Sequence, residues 1–225
     1  MQSKLSEKLS LTIGGRYDYN TRYGNTINPR AGLILKPMEK LNAKLLYGRA
    51  YLAPSPYVAY QHYGAYVSLF DSLNKFNGII GPYWHLPNPD IKPEEVSTYE
   101  ASISYFLSEK LGFFVNGYVN DVTNLITVEG KFDKEFHGIP VGFAEVPVNK
   151  GEALTYGGTF RVNGKINIGA ESFLNAYIAY SYSDGKYDDS IQIAYSAKST
   201  VKAGLDLRYK RSEEHTSELQ SRQSI

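Results

Sequence analysis

No cysteine occurs among the 225 residues, which excludes a disulfide framework, a thiolate metal site and a cysteine nucleophile. Neither sign of charge is in excess. The 24 Lys and Arg balance 23 Asp and Glu to a formal +1, so no field draws a nucleic acid or other polyanion. Long apolar runs are also missing. The longest charge-free stretch, Ala50 to Phe70, is interrupted by Pro54, Ser55, Pro56 and Gln61 and is rich in tyrosine, which excludes a transmembrane helix. Neither a Gly-x-Ser-x-Gly elbow nor a His-Glu-x-x-His motif is found, and an enzyme is not expected. No basic-then-apolar leader follows Met1, from which the start of the gene product is expected to be missing.

What the chain has in abundance is tyrosine, 20 residues against 10 Phe and one Trp. That composition favours β-structure. From Leu9 the odd positions Leu9, Leu11, Ile13, Tyr17 and Tyr19 alternate with Ser10, Thr12, Arg16, Asp18 and Asn20. Period two of this kind makes a strand with one apolar and one polar face. The pattern recurs around Leu33, Leu45, Ile103, Val115, Phe160, Ile178 and Leu205, with Ile34 and Leu46 as exceptions on the polar side. The expectation is an all-β antiparallel up-and-down meander of about eight strands.

The connections fall into two classes. Pro37 to Lys40, Leu107 to Lys110 and Asn163 to Ala170 read as short turns, whereas Thr21 to Ile27, Leu52 to Glu94, Glu129 to Pro147 and Asp184 to Lys198 read as long loops. In a meander all the long ones fall on one rim, as in outer-membrane barrels with short periplasmic turns and long extracellular loops. Tyr17, Tyr19, Tyr47, Tyr105, Tyr180 and Tyr209 cap the apolar stripes where an aromatic girdle belongs. The opposite face carries Arg16, Arg30, Lys44, Glu100, Arg161, Lys202 and Asp206, which suits a wet lumen better than the core of a soluble sandwich. Arg49, with lipid-side parity, is the one objection.

Several blocks resemble TonB-dependent outer-membrane receptors. Tyr47-Gly48-Arg49-Ala50-Tyr51-Leu52-Ala53-Pro54-Ser55 is similar to that family's strand-to-loop signature, with Leu52 where Arg is usual. Asn88-Pro89-Asp90-Ile91-Lys92-Pro93-Glu94 resembles the block that opens its next strand. Tyr118 to Asp121 with Leu125 and Ile126, and Asn149-Lys150-Gly151 with Tyr156-Gly157, resemble two further blocks. The resemblance implies a partial arc of a 22-stranded transmembrane β-barrel over residues 1–210, with the plug domain absent. Such an arc is not expected to insert alone, since lipid cannot hydrate its unpaired edges. It also implies a bacterial outer-membrane location, contact with outer-membrane lipid, and work with the TonB complex through the missing N-terminal part. The ligand implied is a ferric siderophore or similar small molecule, with no nucleic acid and no cofactor. Residues 211–225 resemble a translated sequencing adapter and are expected to be a disordered artefact.

The loop from Leu52 to Glu94 carries the candidate ligand-binding residues Tyr57, Tyr60, His62, Tyr63, Tyr66, Trp84 and His85. Tyrosine, histidine and tryptophan together offer wide amphipathic contact area to a flat or aromatic ligand. Because His62 and His85 lie where haem receptors of this family keep a ligand histidine, a haem receptor stays open beside the siderophore reading. His137, in the next long loop, reads as bland. The Asp184, Gly185, Lys186 and Asp188 cluster lacks the alternate acidic spacing of a calcium loop. A complete eight-stranded barrel with a structural or adhesive role also remains open, as does a soluble binding sandwich.

Overall fold

The computed structural model describes residues 2–169, 172–188, 191–193 and 197–209. The segment 211–225 lies outside them. The chain forms β1 (Gln2–Ser6), β2 (Leu9–Asn20), β3 (Gly24–Met38) and β4 (Leu41–Leu52), then α1 (Pro56–Tyr60), β5 (Tyr63–Phe70) and β6 (Phe76–His85). It continues through β7 (Glu94–Ser108), β8 (Leu111–Phe136), β9 (Ile139–Asn167), β10 (Phe173–Tyr187), β11 (Ile191–Gln192) and β12 (Ser199–Arg208). Sheet order is β1-β2-β3-β4-β7-β8-β9-β10, with β11 and β12 both on the far side of β10. No described helix is long and apolar enough to cross a membrane, which says nothing of crossing by strands.

Eight of these strands are the expected antiparallel meander, and their register explains the alternation. One ladder row runs Leu9, Leu35, Ala43, Ile103, Val115, Phe160, Tyr180, Val201 across eight strands. The neighbouring row runs Ser10, Ile34, Lys44, Ser102, Asn116, Thr159, Ser181, Thr200. Adjacent rows point to opposite faces, so the sheet has one continuous apolar side and one polar side. The apolar side is bare: Ile103 is 51% exposed, Val115 47% and Val201 66%. A sandwich would have covered it with a second sheet. On the polar side Thr98 donates to Asn120 at 2.9 Å, Asn120 to Thr155 at 3.1 Å, and the Thr159 and Ser181 hydroxyls pair at 2.9 Å.

The exceptions find local partners. Arg49, on the apolar side, forms an ion pair with Glu95 of β7, which has the same parity near the same rim. Leu46, on the polar side, sits across from Gly32, where an added Cβ would come within 3.1 Å of its methyl group.

The structure departs from the sequence expectation in several ways, among them β10 running on to Tyr187 through the start of the expected Asp184 to Lys198 loop. β1 adds a strand that was not expected, so the edges are β1 and β12 rather than the Leu9 strand and β12. The Thr21 to Ile27 connection shrinks to a turn over Thr21–Tyr23, because the β2–β3 ladder runs to Asn20 opposite Gly24. The Glu129 to Pro147 loop is mostly strand: β8 and β9 continue as a long hairpin and reverse at His137 and Gly138. Both turn residues have positive φ, 51° and 77°, as a two-residue hairpin turn requires. Among the described residues β1 and β12 do not pair, so the sheet is an open arc and not a closed eight-stranded barrel.

If hydrocarbon covers the apolar side, Val115→Lys costs about 2–4 kcal/mol in lipid, whereas Asn116→Lys on the polar side stays within about 1 kcal/mol. Urea unfolding of the receptor in lipid vesicles measures the difference. Equal costs would contradict the assignment of faces.

Candidate functional site

Beyond the rim the 41 residues between β4 and β7 do not form a floppy loop. β5 and β6 pair as a hairpin, and β6 then aligns parallel to the start of β9, with Gly81 opposite Val141 and His85 opposite Glu145. The result is a four-stranded upper part of the same sheet, β5-β6-β9-β8, built from two loops far apart in sequence. Its core is Trp84, Val141 and Ala144, with Leu86 and Phe136 packed against them. Gly64 is required beneath the indole, since a Cβ there would fall within the Trp84 ring edge.

This upper part is clipped to the barrel rim by the asparagines of the motif blocks. Asn149 accepts the Lys92 N–H at 2.7 Å and donates to the Lys92 carbonyl at 2.9 Å and the Asn124 carbonyl at 2.8 Å. Asn124 sits in the β8 bulge with a φ of 56°. Asn88 donates to the Pro147 carbonyl at 2.9 Å, and Glu94 accepts the Ile126 N–H at 2.8 Å. Three segments are thereby joined by side chains that satisfy backbone groups the ladders leave unpaired. The sequence showed these residues as motif members but not as fasteners.

The seven candidate residues divide into three groups. Tyr63 and His85 are ladder partners and stack at 4.9 Å and 10°, with Tyr57 at 5.9 and 5.4 Å from them; the ring chain continues through Tyr83 and Phe143 to Phe132. Trp84 belongs to the next ladder row and so points the other way. Tyr66 stacks on it at 4.5 Å, and His62 and Phe136 also border it. Tyr60 joins neither group. It ends α1 and lies under the Arg22 guanidinium, whose central carbon is 4.7 Å from its ring centre. His137, bland in sequence, lies with its ring 6.2 Å from that of His62 and 4.1 Å from that of Phe136.

Exposure separates surface from support. Tyr57, Tyr60, Tyr63 and Tyr66 are each 40–43% exposed, whereas Trp84 is 8% and His85 3% exposed. His85 and Trp84 therefore hold the platform, and the tyrosines present it. Glu145 accepts the Tyr83 hydroxyl at 2.7 Å and lies 3.7 Å from His85 Nδ1. Hydrogen bonding to Glu145 and then to Tyr63, together with burial, pushes the Tyr83 phenol far up. Tyr57 is raised by its hydrogen bond with Tyr63 and by burial. These phenols stay neutral, leaving polarised O–H groups and ring faces for a ligand. No group of three His, Asp or Glu side chains among the described residues is placed to hold a metal ion.

A two-faced wall of long strands under a loop-built aromatic platform now meets the comparison with known families. The family model described as TonB dependent receptor-like, beta-barrel matches residues 1–218. The chain belongs to that family. It is a family of receptors and transporters, and its barrels lie in the bacterial outer membrane. No curated protein matches the sequence. Among solved structures, this TonB-dependent receptor chain resembles the outer membrane transporter YddB from Escherichia coli, with TM-score 0.68 and 14% identity over 89% of this chain and 29% of that one. The siderophore receptor PirA from Acinetobacter baumannii aligns at TM-score 0.58 and 14% identity, over 93% of this chain and 38% of that one. The RagAB peptide importer aligns at 0.56 and 14%, over 85% and 21%. At such identities the likeness shows the fold, and the chain spans under two fifths of each neighbour.

One ion pair on the extended β8–β9 hairpin gives a pH test. Glu129 titrates below the ordinary glutamate value of 4.5 because Lys150 donates a hydrogen bond to it, with the charges of Lys150 and Lys131 adding. A depressed folded-state value stabilises the hairpin above about pH 4.5, and that contribution is lost as pH falls through the lowered value. Lys150→Met is expected to return Glu129 to the ordinary range in an NMR pH titration. An unchanged Glu129 curve would show that the pair does not form.

Proposed function

We propose that this chain is a wall-and-loop segment of an outer-membrane receptor that binds a scarce nutrient, a ferric siderophore, and imports it with energy delivered by the TonB complex. The observation that carries the reading is the aromatic platform fixed above a lipid-facing wall. Tyr57, Tyr63 and Tyr66 offer ring faces and hydroxyls on a support that does not need to reorganise. The name of the PirA neighbour as a siderophore receptor points the same way. TonB would act through parts of the receptor other than these strands.

The haem reading is the weaker one on geometry. It needs an imidazole free to reach iron, and of the two expected histidines His85 is buried beneath Tyr63, which leaves only His62, exposed at the edge of the Trp84, Phe136 and His137 cluster. Trp84→Ala removes the ring that Tyr66 and His62 lean on. It is expected to weaken ferric-siderophore binding by about tenfold or more while the barrel stays folded, the pattern of a supporting anchor. Binding to intact receptor in outer-membrane vesicles measures this, with haem as the comparison ligand. Unchanged siderophore affinity, or haem bound in preference, would overturn the reading.

A further inference from the structure

We propose that the cleft beside Tyr60 is a binding subsite for a carboxylate carried on a small apolar body, with Arg22 as the partner of the anion. The proposal rests on the receptor reading above and names the chemistry of one part of its ligand. The cleft has a volume of about 310 Å³, at the small end of ligand sites. It lies where the β2–β3 turn, the link into α1 and the segment before β7 meet.

Its walls are rigid. Pro54, Pro56 and Pro89 line it, each with a fixed φ, and the buried Ala59 and Ile91 back it. The Asn88 N–H donates to the Val58 carbonyl at 3.2 Å and ties the two Pro-rich segments together. The cleft therefore exists before any ligand arrives.

Its charge is single and positive. No Asp or Glu lines the cleft, and Arg22 makes no ion pair among the described residues. The Arg22 backbone N–H is held by the Asn20 side chain at 2.9 Å, which fixes the turn, and the guanidinium rests over the Tyr60 ring. Stacking occupies one face of the guanidinium and leaves its N–H edges free for an anion. The Tyr23 phenol, on the cleft wall, is pushed further up by its hydrogen bond with Tyr51 and by burial, and it adds a dipole and no negative charge.

One guanidinium fork matches one carboxylate. A phosphate dianion would call for a second cation, and no Lys or Arg besides Arg22 is among the residues lining the cleft. The proline, alanine and isoleucine surfaces suit a ring or short apolar chain behind the anion. Tyr60, apart from both aromatic groups of the platform, thereby has its own role: it orients Arg22.

The test uses the intact receptor in outer-membrane vesicles, with benzoate, its neutral counterpart benzamide and inorganic phosphate as probes in saturation-transfer NMR. Benzoate is expected to bind about tenfold or more tightly than benzamide, to resist competition by phosphate, and to lose about tenfold in Arg22→Gln. Arg22→Lys keeps the charge without the fork and is expected to recover only part of the binding. Equal binding of benzoate and benzamide, equal competition by phosphate, or unchanged benzoate binding in Arg22→Gln would overturn the subsite. If energised siderophore uptake persists while benzoate ignores Arg22, the subsite fails and the receptor reading stands. If uptake does not depend on TonB, the receptor reading fails, and the benzoate comparison still decides the subsite.

Discussion

Every backbone N–H and C=O that enters hydrocarbon must be paired within the protein, and that requirement governs this chain. Strands of 12 to 15 residues in β2, β3, β4, β7 and β10 are long enough to meet it across a bilayer. Once the ladder is fixed, period two leaves the side chains no choice. The Leu9-to-Val201 row and the Ser10-to-Thr200 row fall on opposite faces, and a slip of one residue anywhere would put Lys44 or Asn116 among acyl chains. The bareness of Ile103 and Val115, costly in water, is what contact with lipid requires.

The same ladder sets the stage for binding. At the rim β8 and β9 keep their pairing after the barrel wall has ended, and β6 joins them in parallel. A parallel pair is an unusual way to tether a loop, and here it lets two distant loops share one core around Trp84 and Val141. Asn149, Asn88 and Glu94 close the seam where the upper part of the sheet leaves the wall. Rigid strand, buried core and satisfied backbone together fix the tyrosines, so the surface shown to a ligand is set by the barrel beneath it.

The wall was legible in the sequence because the alternation recurs strand after strand, with a bilayer selecting both faces. β1 was not, since Gln2–Ser6 is five residues with a single large apolar side chain, Leu5. The β8–β9 extension was hidden because Gly130, Gly138, Pro140 and Pro147 read as loop, while the second partner that flanks Ile139–Val146 opposite β8 is β6, more than fifty residues earlier. The aromatic character of the site was legible, but not its division. Tyr63 and Trp84 take opposite sides through the register of one hairpin, Tyr66 shares Trp84's side because it lies two residues from Trp84's ladder partner Gly64, and His137 meets His62 only across the loop sheet. The Arg49 objection likewise dissolved through a partner, Glu95, that parity alone does not reveal.

The central claim is that one face of the wall meets lipid and the other water, and single cysteines introduced into this cysteine-free segment make it directly measurable, any cysteine elsewhere in the receptor being replaced first. Single cysteines placed from Phe113 to Val119 in the intact receptor, in outer-membrane vesicles, are read with a water-soluble maleimide. Labelling at positions 114, 116 and 118, with protection at 113, 115, 117 and 119, is the result predicted. Uniform labelling, or labelling of the odd positions instead, would contradict it.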